Sequence, residues 1–207
     1  MEKRAPTRQA LLLLKDQLEV VRKGLELIKS KREALMKEFF GVVGESIEMR
    51  ERLTDIVGGG QKKIEIARGL SGDEALKSFI HTAKRQVSLD IRLKNIWGVS
   101  VPEIDEVFLI RTLEAREVSP IGERAEFFQI ARDFETAADL LVKIASKEVK
   151  LSRLGEMIKS DTRKINAITE AMLPSMRKTI RNIDRILEER EREEVFRLKR
   201  YKKKREE

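Results

Sequence analysis

Stepping alternately three and four residues from Leu11 lands on Leu14, Leu18, Val21, Leu25, Ile28, Arg32, Leu35, Phe39, Val42, Ser46, Met49, Leu53 and Ile56. Only Arg32 and Ser46 interrupt this apolar row. Seven heptads of such spacing commit Thr7 to Val57 to a long helix that must bury one stripe against another helix. No Pro lies inside the segment, and Pro6 stands where a helix can begin. Gly24, Gly41 and Gly44 each weaken the helix by about 1 kcal/mol relative to Ala, or else mark close helix contacts. The competing reading is a set of separate amphipathic helices.

A stripe of that length needs a partner, and the C-terminal half supplies one. Ser119-Pro120 is a helix start, a cap followed by Pro at the first helical position. Ile144, Leu151, Ile158, Ile165 and Met172 then recur at sevens. The companion row is mixed: Leu141 and Met176 are apolar, but Glu148, Gly155, Thr162 and Thr169 are not. Past Met172 the row continues through Met176, Ile180, Ile183 and Leu187. The two consecutive steps of four are a stutter, and Pro174 within it removes a backbone donor and crowds the carbonyl of Glu170. A kink is expected near Met172.

Between the two helices the pattern changes. Gly58-Gly59-Gly60 reads as a break, with helix resuming over Gln61 to Leu70. Ser71-Gly-Asp-Glu74 has capping-box spacing and opens a short helix with Ala75, Leu76, Phe79, Ile80 and Ala83 on one face. Val87, Leu89, Ile91 and Leu93 then alternate with polar residues, a strand signature. A second extended run follows Gly98 through Val99 and Val101, and Pro102 places it at an edge. A small hairpin is expected at about residues 86–108. The fold class is therefore mainly α: an antiparallel two-helix coiled coil with a short helix and a β-hairpin between. The division is 1–57, 58–118 and 119–207. At 1.5 Å per residue the helices would span roughly 75 and 130 Å, so the C-terminal helix should overhang as a basic tip.

Composition agrees. Charged residues are 39% and aromatics 5% of the 207, against a charged fraction of about 25% in ordinary domains. The absence of Cys excludes disulfides and thiolate metal sites. His81 is the single histidine, which removes His-based metal clusters and makes a structural or exposed role the expectation for it. The N-terminus lacks a signal-peptide apolar stretch and no run approaches the ~20 residues that span a bilayer, so a soluble chain is expected. No catalytic, cofactor-binding or metal-ligating residue is expected. Trp97 beside Gly98 reads either as a binding hot spot or as a cap on the hairpin's own core. The net charge of +8 favours an acidic partner surface of some kind.

Three readings fit a basic helical hairpin: a nucleic-acid binder, a scaffold or chaperone, and a rod inside a ring of partners. Glu188, Glu189, Glu191, Glu193 and Glu194, just before the terminal bases, would repel phosphate.

Three blocks then carry a resemblance. They are Pro6 to Phe40, with Lys23-Gly24 and Lys31-Arg32-x-Ala34-Leu35; Asn95 to Ile104, NIWGVSVPEI; and Ile158 to Arg200, with Arg163-Lys164-Ile165-Asn166-Ala167, Leu173-Pro174 and the Glu-Arg-Glu-Arg-Glu block. The chain resembles the D subunit of the archaeal-type and vacuolar-type rotary ATPases; the region Gly58 to Arg85 follows no motif of that family. The resemblance implies a non-catalytic shaft seated in a hexamer of A and B subunits. It implies a middle part that carries the F subunit, with Ile96, Trp97 and Val99 as the expected contact. It implies a lower end on the funnel subunit that joins the shaft to the membrane rotor ring. The tip residues Arg197, Lys199, Arg200 and Lys202 are expected to face the hexamer. Location would be the cytoplasmic face of the membrane, peripheral to it, with no nucleic acid and no cofactor.

Overall fold

The structure is a computed structural model that describes residues 6–82, 86–104, 109–112 and 125–206. Helix α1 is Arg8–Ser71, α2 is Asp73–Thr82, β1 is Ile91–Ile96, β2 is Val99–Ile104, α3 is Ala125–Asn166 and α4 is Leu173–Glu206. A π-turn, Ala167–Met172, joins α3 to α4. The chain forms two compact units, Met1–Ala34 with Ile158–Glu207, and Leu35–Met157. The expected helix start at Ser119-Pro120 and the hairpin residues 105–108 lie outside the described residues.

In the first unit α1 opens with Thr7 as its cap: the Ala10 N–H donates to Thr7 Oγ1 at 3.1 Å. Leu25, Ile165 and Leu173 form a core with Leu18, Val21, Ile28 and Ile168 around it. Arg8 pairs with Glu191, and Arg190 donates to the carbonyl of Pro6 at 3.2 Å. Early residues of α1 thus meet late residues of α4, and later ones meet Ile165, so the two helical segments run antiparallel.

The expected row fails at Met172, which is 47% exposed, while Leu173 is buried. The π-turn is the cause. Leu173 N–H donates to the carbonyl of Ile168, five residues back, so the turn holds one residue more than an α-turn. The wider turn absorbs the crowding that Pro174 would impose on the carbonyl four residues before it. Where the stutter predicts a kink the helix has a π-turn, and it carries the buried row from Ile165 to Leu173, then Met176 and Ile183.

The companion row also differs. Its member Leu141 is exposed, while Leu154, one residue before the row's Gly155, is fully buried. Asp161, likewise one residue before the row's Thr162, is 3% exposed. Lys164 donates to its Oδ1 at 3.3 Å, while its Oδ2 has no partner among the described residues. A polar residue in a seam costs stability and restricts register. Of the other seam residues, Leu14, Leu25, Leu35, Ile144, Ile165 and Ile183 are buried, and Leu11, Leu18, Val21, Ile28, Phe39, Leu151 and Ile158 half-buried.

In the second unit α1 continues unbroken through Gly58, Gly59 and Gly60, against the expected break. Gly60 is buried, and a Cβ there would lie 3.0 Å from the Phe134 ring, so the glycine allows a helix–ring approach. Lys63 pairs with Asp133 at 2.6 Å and Lys150 with Glu38 at 2.6 Å, again antiparallel. Ser71 is the last residue of α1 rather than the cap of α2, and Gly72 (φ 79°) makes the turn between them. On α2, Leu76 and Phe79 are buried but Ala75 and Ile80 are exposed. Phe79 sits between Phe127 and Phe128, with ring centroids 5.4 and 5.5 Å away, and Ala67 and Ile130 complete that core.

Candidate interaction surfaces

The hairpin is built around a two-residue turn. Trp97 (φ 52°) and Gly98 (φ 82°) both take left-handed backbone, the requirement of a type I′ turn. The Gly98 N–H donates to Asn95 Oδ1 at 2.8 Å, which fixes the entry to the turn. Gly adopts this conformation freely, but a Trp there carries strain of about 1–3 kcal/mol. The strained ring is not buried: Trp97 is 62% exposed. An exposed aromatic held in a strained turn is a contact candidate.

Pairing runs from Ile96↔Val99 to Ile91↔Ile104. Ile96 is half-buried and Val99 and Val101 are buried. Of Ile96, Trp97 and Val99, then, Trp97 is exposed, Ile96 half-buried and Val99 buried. The β2 strand lies on the helices: the Ser146 hydroxyl donates to the Pro102 carbonyl at 3.4 Å. A groove of about 490 Å³ separates hairpin from helices, lined by Val42, Ile96, Val101, Val142, Lys147 and Lys150. Lys147 pairs with Glu45, and this holds the Glu45 carboxyl below its ordinary range. The β1 strand is outermost. Val87, Leu89, Ile91 and Leu93, the residues whose alternation marked the strand, are all exposed, Leu93 by 76%.

Sequence reasoning missed a second feature of this unit. Arg111 donates from its backbone N–H and its Nε to the two oxygens of Glu135, at 3.0 and 2.9 Å. Both side chains are less than 15% exposed, so the contact is a two-point charge-assisted clamp. It borders a cavity of about 470 Å³ lined chiefly by Ile64, Leu76, Phe79, Phe127 and Phe134. No periodicity announces a pair 24 residues apart.

The first unit carries the basic helix end. Arg197, Lys199, Arg200 and Lys202 are exposed on α4. Pairs at i, i+4 brace the helix: Arg185 with Glu189, Arg192 with Glu188, and Arg197 with Glu193. From Glu188 onward every described side chain whose burial is assigned is exposed, including Val195, Phe196, Leu198 and Tyr201. Among the described residues no group of three His, Cys, Asp or Glu side chains is placed to hold a metal ion. No described helix is long and apolar enough to cross a membrane.

The sequence profile of the family described as the ATP synthase D subunit matches residues 10–203. The chain belongs to the ATP synthase D-subunit family. The V-type ATP synthase D subunit of an Anaeromyxobacter species is 38% identical over 99% of this chain and 95% of its own length. That of Thermus thermophilus is 35% identical over 98% of this chain and 89% of its own. That of Deinococcus radiodurans is 34% identical over 97% and 88%. The D-subunit match thus spans both compact units, the hairpin and most of the basic helix end.

Proposed function

We propose that this D-subunit chain is the non-catalytic central-stalk shaft of a V-type ATP synthase or ATPase. It transmits torque between a membrane ion-translocating rotor ring and a catalytic A/B hexamer. The observation that carries this reading is the near full-length match to proteins named as the D subunit of V-type ATP synthases. The chain works at the cytoplasmic face of the membrane, as a peripheral part of a membrane complex. Its partners are the hexamer, the F subunit, and the funnel subunit that seats it on the ring.

The physical chemistry of the chain suits that role. Two helices sharing a seam resist twist better than one helix does. A surface of solvated ion pairs makes contacts worth about 0–1 kcal/mol each, so no angular position becomes a deep trap. Arg197, Lys199, Arg200 and Lys202 face the hexamer, and Trp97 is the hairpin residue that meets the F subunit. Each catalytic interface then favours the state that best fits the shaft face it meets, which is population shift by differential contact.

The test uses the absence of cysteine: one introduced thiol at an exposed position is unique in this chain. The chain is co-purified with A, B and F subunits, and a bead is attached through that thiol. Co-elution and ATP-driven turning of the bead are expected. A stationary bead on a complex that hydrolyses ATP would overturn the shaft role.

A further inference from the structure

Two charged side chains of the first unit reach into its seam. Arg32 interrupts the apolar row of α1; it is half-buried, and its Nε is buried with no partner among the described residues. Asp161 on α3 is 3% exposed, and Lys164 meets its Oδ1, which leaves Oδ2 without a described partner. The two residues lie at one level. Ile28 and Ile165 belong to the same core. Arg32 follows Ile28 by about one turn of α1, and Asp161 precedes Ile165 by about one turn of α3. Because the segments are antiparallel, both steps go the same way. A buried charge with an unmet atom is costly, and an opposite charge across the seam offsets that cost.

Asp161 is also an unexpected residue for α3 to bury. Ile158 and Ile165 are common to two possible stripes. One stripe takes Asp161 between them and the other Thr162, and a turn of about 50° about the helix axis exchanges the two. Hydrophobicity favours Thr162, whose hydroxyl already donates to the Ile158 carbonyl at 2.8 Å and so brings no unmet group into the seam. The structure instead buries Asp161 and leaves Thr162 half-buried. We propose that Arg32 and Asp161 are charge partners across the seam, and that their attraction sets the rotation of α3 in the first unit. The setting matters outside the seam as well, because it turns Arg163, Lys164 and Asn166 to the exposed side. The pairing needs only the chain itself and does not depend on the shaft role.

Variants of the full chain test it. Arg32→Leu leaves the carboxylate without its partner and Asp161→Leu does the same to the guanidinium; each should lower the melting temperature by about 5 °C or more. Arg32→Leu combined with Asp161→Leu should recover most of that loss. The exchange of Arg32→Asp with Asp161→Arg should likewise recover most of what Arg32→Asp alone loses. Losses that simply add overturn the pairing. Rotation is read in a Thr162→Cys background, where the thiol is the chain's only one. Adding Arg32→Leu should turn α3 toward position 162 and slow labelling of the thiol by about threefold or more. Adding Asp161→Leu as well should restore the parent rate, because an apolar side chain at that position returns to the seam. A rate unchanged by Arg32→Leu overturns the setting of α3. If Arg32→Leu is too unstable to label, Arg32→Gln takes its place with the same outcomes.

Discussion

Trp97 sets strain against exposure at a single residue. A type I′ turn prefers Asn-Gly, and this chain has Trp-Gly with the ring largely in solvent. Trp97→Asn should raise thermal stability, by about 1 kcal/mol, because the strain is relieved. The same change should weaken binding of the F subunit by about tenfold or more, read by titrating that partner onto the chain. Equal binding by both forms would return Trp97 to a structural role. Asp73 gives a prediction in pH. Its carboxyl is held below the ordinary range by its hydrogen bond with Lys77 and by the charges of Lys77 and Arg68. A depressed pKa adds stability that is complete above the unfolded value of about 3.9 and is lost as pH falls through the lower folded value. The melting difference between the parent and Asp73→Asn should hold steady from neutral pH to about pH 5 and vanish in stronger acid. A difference that grows with acid would contradict the assignment. Single residues are also the hardest features to read in sequence: the Arg111–Glu135 clamp joins groups with no periodic relation.

Elements are more legible, and the errors in reading them have one physical source. The α1 stripe is readable because β-branched and leucine side chains recur at 3.5-residue spacing with little else to compete. On α3 and α4 two rows compete, and polar Asp161 occupies a buried place, so hydrophobicity does not rank the rows. Leu154→Ala should cost about 3 kcal/mol in urea denaturation, because a fully buried leucine leaves a cavity. Leu141→Ala, at an exposed position, should cost less than about 1 kcal/mol. Comparable costs would mean that the companion row is wrongly placed. The three glycines mislead for a similar reason. Propensity marks Gly58 to Gly60 as a break, but packing against Phe134 keeps the helix going, and only the tertiary contact distinguishes the two cases. The hairpin's existence is legible from alternation and Gly98. Which of its faces meets the helices is not, because apolar residues lie on both sides of it.

For the molecule as a whole, the basic end of α4 is where charge should decide assembly. Replacing Lys199, Arg200 and Lys202 together by Gln should weaken association with the A/B hexamer at low salt, and the deficit should shrink as salt approaches 1 M, where screening reaches about 3 Å. Equal retention of parent and variant on immobilised hexamer at low salt would leave these residues without that role. The π-turn has a consequence of a different kind. Ile165 and Leu173 are eight residues apart, one more than a heptad, and the turn between them stores the surplus. A deletion of one residue usually swings everything downstream by about 100° and throws a seam out of phase. Deleting Thr169 together with Pro174→Ala should instead convert the π-turn to an α-turn and restore seven-residue spacing, with Leu173 still buried. Its melting temperature should stay near the parent's, whereas deletion of Arg181, in regular helix, should lower it sharply. The turn is thus a place where the gene can lose a codon and the helix pair keep its count.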